Sequence, residues 1–99
     1  MIRIILVCAA GMSTSILVNN MKKMAEPKDE IHAYPLAELE DHIQDADVVL
    51  VGPQIKFQME MITRLANAFH VQAALMDQKS YAQMEAGKML DFARSLIQK

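Results

Sequence analysis

The fold of this chain is decided by residues 2–15, which read IRIILVCAAGMSTS. The run from Ile2 to Val7 is β-branched and aliphatic, which indicates a strand buried on both faces of a parallel sheet. Apolar residues then recur at helical spacing, at Ile16, Leu17, Met21 and Met24. This pattern predicts an amphipathic helix with Ser13 or Thr14 as its N-cap. Residues 2–15 therefore predict a buried strand, a loop of small residues and a helix.

The rest of the chain repeats this alternation of strand and helix. Further strands are predicted at Glu30 to Tyr34, Val48 to Val51 and Val71 to Met76. Helical patterns are centred on Leu36 to Ile43, Ile55 to Phe69 and Tyr81 to Gln98. We therefore predict an α/β fold: a small, open, four-stranded parallel sheet with helices on both faces, flavodoxin-like and doubly wound. In such a fold the loop after the first strand binds phosphate.

Composition limits the classes of protein and partner. The 99 residues are enough for a single domain, 1–99. The formal net charge is -2 with no basic block, so no nucleic-acid partner is expected. The apolar run near the N-terminus is too short for a signal peptide or a membrane span. Any membrane contact is therefore expected to pass through a partner.

The cysteine content points to a reducing compartment. Cys8 is the only cysteine, so no internal disulfide can form. A free thiol fits a cytoplasmic location. The sequence has no C-x-x-C motif and no Cys/His cluster, so neither a metal nor a cofactor is expected.

Cys8 is the candidate catalytic residue. It ends the first strand, and ligands of parallel sheets bind beyond the carboxyl ends of the strands. A following helix N-terminus stabilises a thiolate and offers amide groups to an anion. The loop has small residues, which leave room for phosphate, and hydroxyls that can donate to it. The predicted phosphate-binding residues are Ala9, Ala10, Gly11, Met12, Ser13, Thr14 and Ser15.

Two alternatives use a similar loop. A cysteine phosphatase needs an arginine at the position of Thr14, and no Lys or Arg occurs between Cys8 and Lys22. Without a guanidinium, hydrolysis of a phosphocysteine is expected to be poor. The second alternative is a non-catalytic flavodoxin-like module that holds a phosphate-bearing ligand, and the hydroxyls of residues 13–15 keep it open.

Secondary candidates follow other predicted strands. Gln54 and Lys56 come after the strand at 48–51 and are equally well interpreted as phosphate ligands or as a helix start with a solvated lysine. Asp77 is interpreted as a cap of the following turn. Tyr81 is interpreted as packing over the cysteine loop.

Residues 7–15, VCAAGMSTS, closely resemble the phosphocysteine loop of the enzyme IIB component of the bacterial sugar phosphotransferase system, lactose/cellobiose type. The resemblance extends to Ala33-Tyr34-Pro35, to Gly52-Pro53-Gln54 and to Met76-Asp77, and covers nearly the whole chain. It implies that Cys8 receives a phosphoryl group from a phosphohistidine of a IIA protein. It also implies that Cys8 passes this group to a sugar bound by the membrane transporter IIC.

Overall fold

The strands form one parallel sheet. The computed structural model describes residues 2–8 and 12–97. The strands are β1 (Arg3–Cys8), β2 (Glu30–Pro35), β3 (Val48–Val51) and β4 (Gln72–Leu75), and all their pairings are parallel. Their order is β2-β1-β3-β4, which places β1 inside the sheet. The predicted four-stranded parallel sheet is confirmed.

The helices are α1 (Met12–Met24), α2 (Leu39–His42), α3 (Met59–Ala68), α4 (Gln78–Ala82) and α5 (Ala86–Ile97). Short 3-10 segments at Leu36–Glu38 and Ile43–Asp45 flank α2, and a longer one at Pro53–Gln58 precedes α3. Within the described part of the chain, no helix is long and apolar enough to cross a membrane.

Alternation along β1 divides the core into two layers. Ile4, Leu6 and Cys8 pack on the side that also holds the buried residues of α1 and α5. Ile5 and Val7 face the opposite layer, which is built from α2 and α3. Successive side chains of a strand point to opposite faces, so this register fixes which helices surround the Cys8 side chain. Helices cover both faces, as predicted.

The predicted helix from Tyr81 to Gln98 is wrong as a single element. The chain forms α4 and α5, and Gln98 lies outside the described residues. Met84 has a φ of 54°, and its N–H donates to Tyr81 O at 3.1 Å. The Glu85 N–H donates to Ser80 O at 2.9 Å. These two bonds form a Schellman motif, which ends a helix through one left-handed residue.

Helix starts also differ from the predicted ones. Ser13 and Thr14 lie in the first turn of α1, because the helix already begins at Met12. The helical pattern from Ile55 begins as the 3-10 segment, and regular α-helix starts only at Met59.

Asp77 caps α4, as predicted. Its Oδ2 accepts a hydrogen bond from the Ser80 N–H at 2.9 Å. Hydrogen bonds from the Ser80 N–H and hydroxyl, with smaller contributions from Lys79, hold the pKa of Asp77 below the ordinary 3.8. This cap sets the start of α4, which carries Tyr81.

Gly52 lets the ends of β1 and β3 approach closely. Its N–H donates to Val7 O at 2.8 Å, which continues the pairing of the two strands. A Cβ at Gly52 would lie 2.8 Å from Cys8 Sγ and 2.7 Å from Gln54 Oε1. The φ of Gly52 is -66°, so this position needs the missing side chain and not an unusual backbone.

We expect Gly52→Ala to destabilise the protein. The added methyl group would force the Cys8 thiol and the Gln54 amide to move, and overpacking of this kind costs about 1–3 kcal/mol. Gly87→Ala, in α5, is the matched control, because the added Cβ would meet only the flexible end of the Met24 side chain of α1, at 3.0 Å. That change should stabilise α5 by about 0.5–1 kcal/mol. Equal unfolding free energies of the two variants in urea would contradict the expectation.

We expect the Asp77 carboxylate to stabilise the fold at neutral pH. Because folding lowers its pKa, the stabilisation is present above about pH 4 and is lost as the pH falls through the folded-state value. Asp77→Asn retains a good cap without the charge. Its melting temperature should lie below that of the wild type at pH 7 and approach it at low pH. Asp77→Ala loses the cap and should melt lower than Asp77→Asn at neutral pH. A constant difference between wild type and Asp77→Asn across the acid range would contradict the assignment.

Candidate functional site

The Cys8 thiol lies at the carboxyl end of the interior strand β1. Its neighbours across the sheet are Pro35 of β2 and the Gly52 turn after β3. The side chain is only 4% exposed. Four structural elements meet here: β1, α1, α4 and the turn after β3. The sequence predicted the thiol at this edge of the sheet, and the structure places it there.

Two buried hydroxyl groups, those of Tyr81 and Thr14, form a hydrogen-bonded series that reaches the sulfur. The Tyr81 hydroxyl, from α4, donates to Cys8 Sγ at 3.8 Å. The same oxygen lies 3.0 Å from Thr14 Oγ1, in the first turn of α1. Both side chains are buried. Tyr81 packs against the site as predicted, but its hydrogen bond to the nucleophile was not anticipated from the sequence.

Thr14 therefore has a contact that the sequence did not indicate. The sequence predicts its hydroxyl as a phosphate ligand, and this stays a prediction. The pair with Tyr81 joins α1 to α4 across 67 positions of sequence. No local pattern signals such a pair, because it depends on how the two helices are placed on the sheet.

Gln54 lies beside the thiol, and Lys56 lies in another groove. Gln54 Oε1 and Cys8 Sγ both border the space in front of Gly52. Gln54 and Tyr81 also line a groove of about 260 Å³. Lys56 lines a neighbouring groove of about 530 Å³ that also contains Asp77. The structure thus brings Gln54 to the thiol and does not show Lys56 among the groups that contact it.

Part of the predicted phosphate-binding loop lies outside the described residues, namely Ala9, Ala10 and Gly11. Met12 and Ser13 are the first residues of α1. Ser15 is exposed and borders a hollow of about 240 Å³ between α1 and β2. The phosphate-binding role of these residues stays a prediction. Its physical support is that α1 packs on the same side of the sheet as the thiol, and that the first N–H groups of a helix have no partner within the helix.

Three polar groups that the structure describes near the sulfur are uncharged. Tyr81, Gly52 and Gln54 are neutral groups, and none of them supplies a guanidinium or an ammonium to a phosphoryl group on Sγ. The nearby Asp77 carboxylate is engaged by the Ser80 N–H in the cap of α4. The three groups near the sulfur do not include the cation that a phosphatase uses to stabilise charge during hydrolysis.

Exposed apolar side chains follow two of the strand ends near the thiol. Ile16 lies in α1 and is 52% exposed. Phe57 lies in the 3-10 segment after β3 and is 77% exposed. The segments that follow β1 and β3 therefore each present an apolar side chain to solvent.

Another hollow, of about 140 Å³, lies between β2 and α2, and Cys8 is not among its lining residues. Tyr34 stacks there on His42, with ring centroids 3.8 Å apart. His32 pairs with Glu30 along the same strand, at 3.3 Å. The Tyr34–His42 stack fastens α2 to the edge strand. Tyr34 pairs with Val7 across the sheet, but its side chain packs on the face opposite to Cys8.

Comparisons with known proteins identify the family of this chain. The family described as "PTS system, Lactose/Cellobiose specific IIB subunit" matches residues 3–92. An oligo-beta-mannoside-specific EIIB component of Bacillus subtilis (strain 168) is 33% identical, over 96% of this chain and 95% of the relative. A cellobiose-specific EIIB component of Lactococcus lactis subsp. lactis (strain IL1403) is 35% identical, over 95% and 94% of the two chains.

A solved structure supports the same assignment. The cellobiose-specific IIB component of Borrelia burgdorferi superposes with a TM-score of 0.79 and 30% identity, over 97% of this chain and 91% of that one. The resemblance carried by residues 7–15 and by the later strand ends is thereby confirmed at the level of the family. This chain belongs to the lactose/cellobiose-specific IIB subunits of the sugar phosphotransferase system.

Proposed function

We propose that this chain is a phosphoryl carrier whose Cys8 accepts a phosphoryl group from a phosphohistidine of a IIA protein. Cys8 then transfers the group to a sugar during uptake through the membrane transporter IIC. In enzymatic terms, the chain is the IIB component of a protein-phosphohistidine–sugar phosphotransferase and acts through a phosphocysteine intermediate. Residues 1–99 act as one IIB domain in the cytoplasm, and contact with the membrane passes through IIC.

The observation that carries this proposal is the position of the thiol. Cys8 is the only thiol of the chain, and it lies at the ligand-binding edge of the sheet with a hydroxyl donor at its sulfur. A thiolate attacks phosphorus readily and is also a good leaving group. A carrier needs both properties, because it must accept the phosphoryl group and then release it.

The neutral surroundings of the sulfur support a carrier over a phosphatase. A phosphocysteine must survive until the second partner arrives. Of the residues that the structure describes, Tyr81, Gly52 and Gln54 lie near Sγ, and none of these three is a cation that would stabilise attack by water. Amide and hydroxyl groups of residues 9–15 hold the phosphoryl oxygens in this proposal. Gln54 assists from the neighbouring strand end, and Lys56 has a secondary role at most.

The acceptor is a sugar whose identity the transporter IIC selects. The two curated relatives have names that differ in sugar, one specifying oligo-beta-mannoside and the other cellobiose. This chain therefore contributes the phosphoryl chemistry, and the partner contributes recognition of the sugar.

We expect Cys8→Ser to abolish phosphoryl acceptance while the fold survives. A serine hydroxyl is nearly the same size as the thiol but is a far weaker nucleophile at neutral pH. The measurement is intact mass after incubation with phosphoenolpyruvate, the general phosphotransferase proteins and a cognate IIA protein. The wild type should gain one phosphoryl group and the variant none.

Several outcomes would contradict the carrier role. One is phosphorylation of Cys8→Ser to the wild-type extent, and another is no added mass on the wild type with any matched IIA protein. A flavin absorbance band on the purified chain, without phosphorylation, would favour the ligand-binding alternative. Rapid hydrolysis of an aryl phosphate would favour a phosphatase. Thermal melting of both proteins shows whether the substitution disturbs the fold.

We expect Phe57→Ala to weaken docking of the IIA protein by roughly tenfold, because removal of an aromatic anchor commonly costs an interface about this much. The rate of phosphoryl transfer is measured against the concentration of the IIA protein. Met24→Ala is the matched control, since Met24 is also exposed but lies at the far end of α1. Equal concentration dependence for the two variants would show that Phe57 is outside the docking surface.

A further inference from the structure

Three buried groups form a chain of hydrogen bonds that ends on the nucleophile. Thr14 Oγ1 and the Tyr81 oxygen are 3.0 Å apart, and the Tyr81 oxygen and Cys8 Sγ are 3.8 Å apart. The longer distance suits sulfur, which has a larger radius than oxygen. The three residues are 4–6% exposed, so water competes little for these bonds. These hydrogen bonds are therefore shielded from solvent in the folded protein.

Counting protons fixes the direction of these hydrogen bonds. A phenol has one proton to donate, and a threonine hydroxyl also has one. When Tyr81 donates its proton toward Sγ, its bond with Thr14 requires Thr14 to be the donor. The order is therefore Thr14 O–H to Tyr81 O, and Tyr81 O–H to Cys8 Sγ. A thiolate receives a stronger bond in this arrangement than a thiol, because hydrogen bonds to an ion are about twice as strong.

A purely structural pair would not need the sulfur. Thr14 and Tyr81 satisfy each other, and this alone would fasten α4 to α1. In addition, the Tyr81 hydroxyl donates its single proton to the reacting atom, Cys8 Sγ. Gly52 and the Gln54 side chain also lie near the sulfur.

We propose that Tyr81 is a catalytic residue that stabilises the Cys8 thiolate, and that Thr14 is a positioning residue that orients the Tyr81 hydroxyl. This inference rests on the proposed function and specifies how its nucleophile is maintained. The tyrosine keeps its own proton throughout; it donates a hydrogen bond and does not act as an acid or a base.

The same bond serves both transfers. On acceptance, the thiolate attacks phosphorus, the Sγ–P bond forms, the N–P bond of the phosphohistidine breaks, and the released imidazole takes a proton from solvent. On release, the sugar oxygen attacks phosphorus, the Sγ–P bond breaks and its electron pair returns to Sγ, while the proton of the sugar hydroxyl passes to solvent. Because Sγ is an anion before the first step and after the second, Tyr81 stabilises the nucleophile in one and the leaving group in the other.

The decisive experiment compares Tyr81→Phe with Tyr34→Phe in the full chain. The rate of Cys8 alkylation by iodoacetamide is measured across pH, which yields a midpoint and a plateau. The midpoint reports the thiolate fraction, whereas the plateau reports access to the sulfur. We expect Tyr81→Phe to raise the midpoint by about one pH unit, which corresponds to a roughly tenfold lower thiolate fraction below the midpoint. Tyr34 stacks on His42 and packs on the face of the sheet opposite to Cys8, so Tyr34→Phe should leave the midpoint unchanged.

A second variant keeps the test valid if Tyr81→Phe disturbs the fold. Thr14→Val has nearly the same shape but cannot donate, so the midpoint should rise by less than in Tyr81→Phe. Thr63→Val, in α3, is its matched control. An unchanged midpoint in both Tyr81→Phe and Thr14→Val would overturn the inference. So would a midpoint that rises equally in Tyr34→Phe.

Phosphorylation of the same variants separates this inference from the proposed function. If the wild type accepts a phosphoryl group and the midpoint of Tyr81→Phe is unchanged, the carrier role stands and the role of Tyr81 fails. If the wild type accepts none but the midpoint rises, Tyr81 stabilises the thiolate and the carrier role fails. When both hold, Tyr81→Phe should slow phosphoryl acceptance by roughly tenfold at a pH below the midpoint.

Discussion

The structure depends on the burial of β1 on both of its faces. An interior strand of a parallel sheet must be apolar at nearly every position, and its side chains alternate between two helical layers. In β1 this alternation assigns Ile4, Leu6 and Cys8 to the α1 and α5 layer. A shift of the register by one residue would turn the thiol toward α2 and α3, away from Tyr81 and Thr14. The chemistry at Cys8 is thus tied to the same constraint that forms the core.

The sequence predicted the elements whose signals are local. A run of aliphatic residues identifies β1 and β3, and an aspartate two residues after β4 identifies the cap of α4. The cysteine at the end of β1 was predicted at the functional edge because all parallel strands present their carboxyl ends together. These predictions need only neighbouring residues and the topology that follows from the alternation of strands and helices.

Three other features were not predicted from the sequence. The break between α4 and α5 lies at Met84, where the helix ends through a left-handed residue that is usually glycine. The bond between Thr14 and Tyr81 depends on the placement of two helices from distant parts of the chain. Gly52 marks the end of β3 in the sequence, but its further role, to leave space for Cys8 Sγ, requires the sheet order. For the Thr14–Tyr81 bond and for Gly52, the missing information is which elements are neighbours in space; for the helix break, it is that a methionine takes the position usually held by glycine.

The Schellman motif after α4 has a consequence for how this chain can vary. It separates a short helix that positions one hydroxyl from a long helix, α5, that supplies apolar surface to the core. Gln83, between them, is exposed. A surface turn of this kind absorbs insertions more easily than either helix. A change of chain length at this turn would therefore leave the hydrogen bonds of α4 and the apolar face of α5 in place.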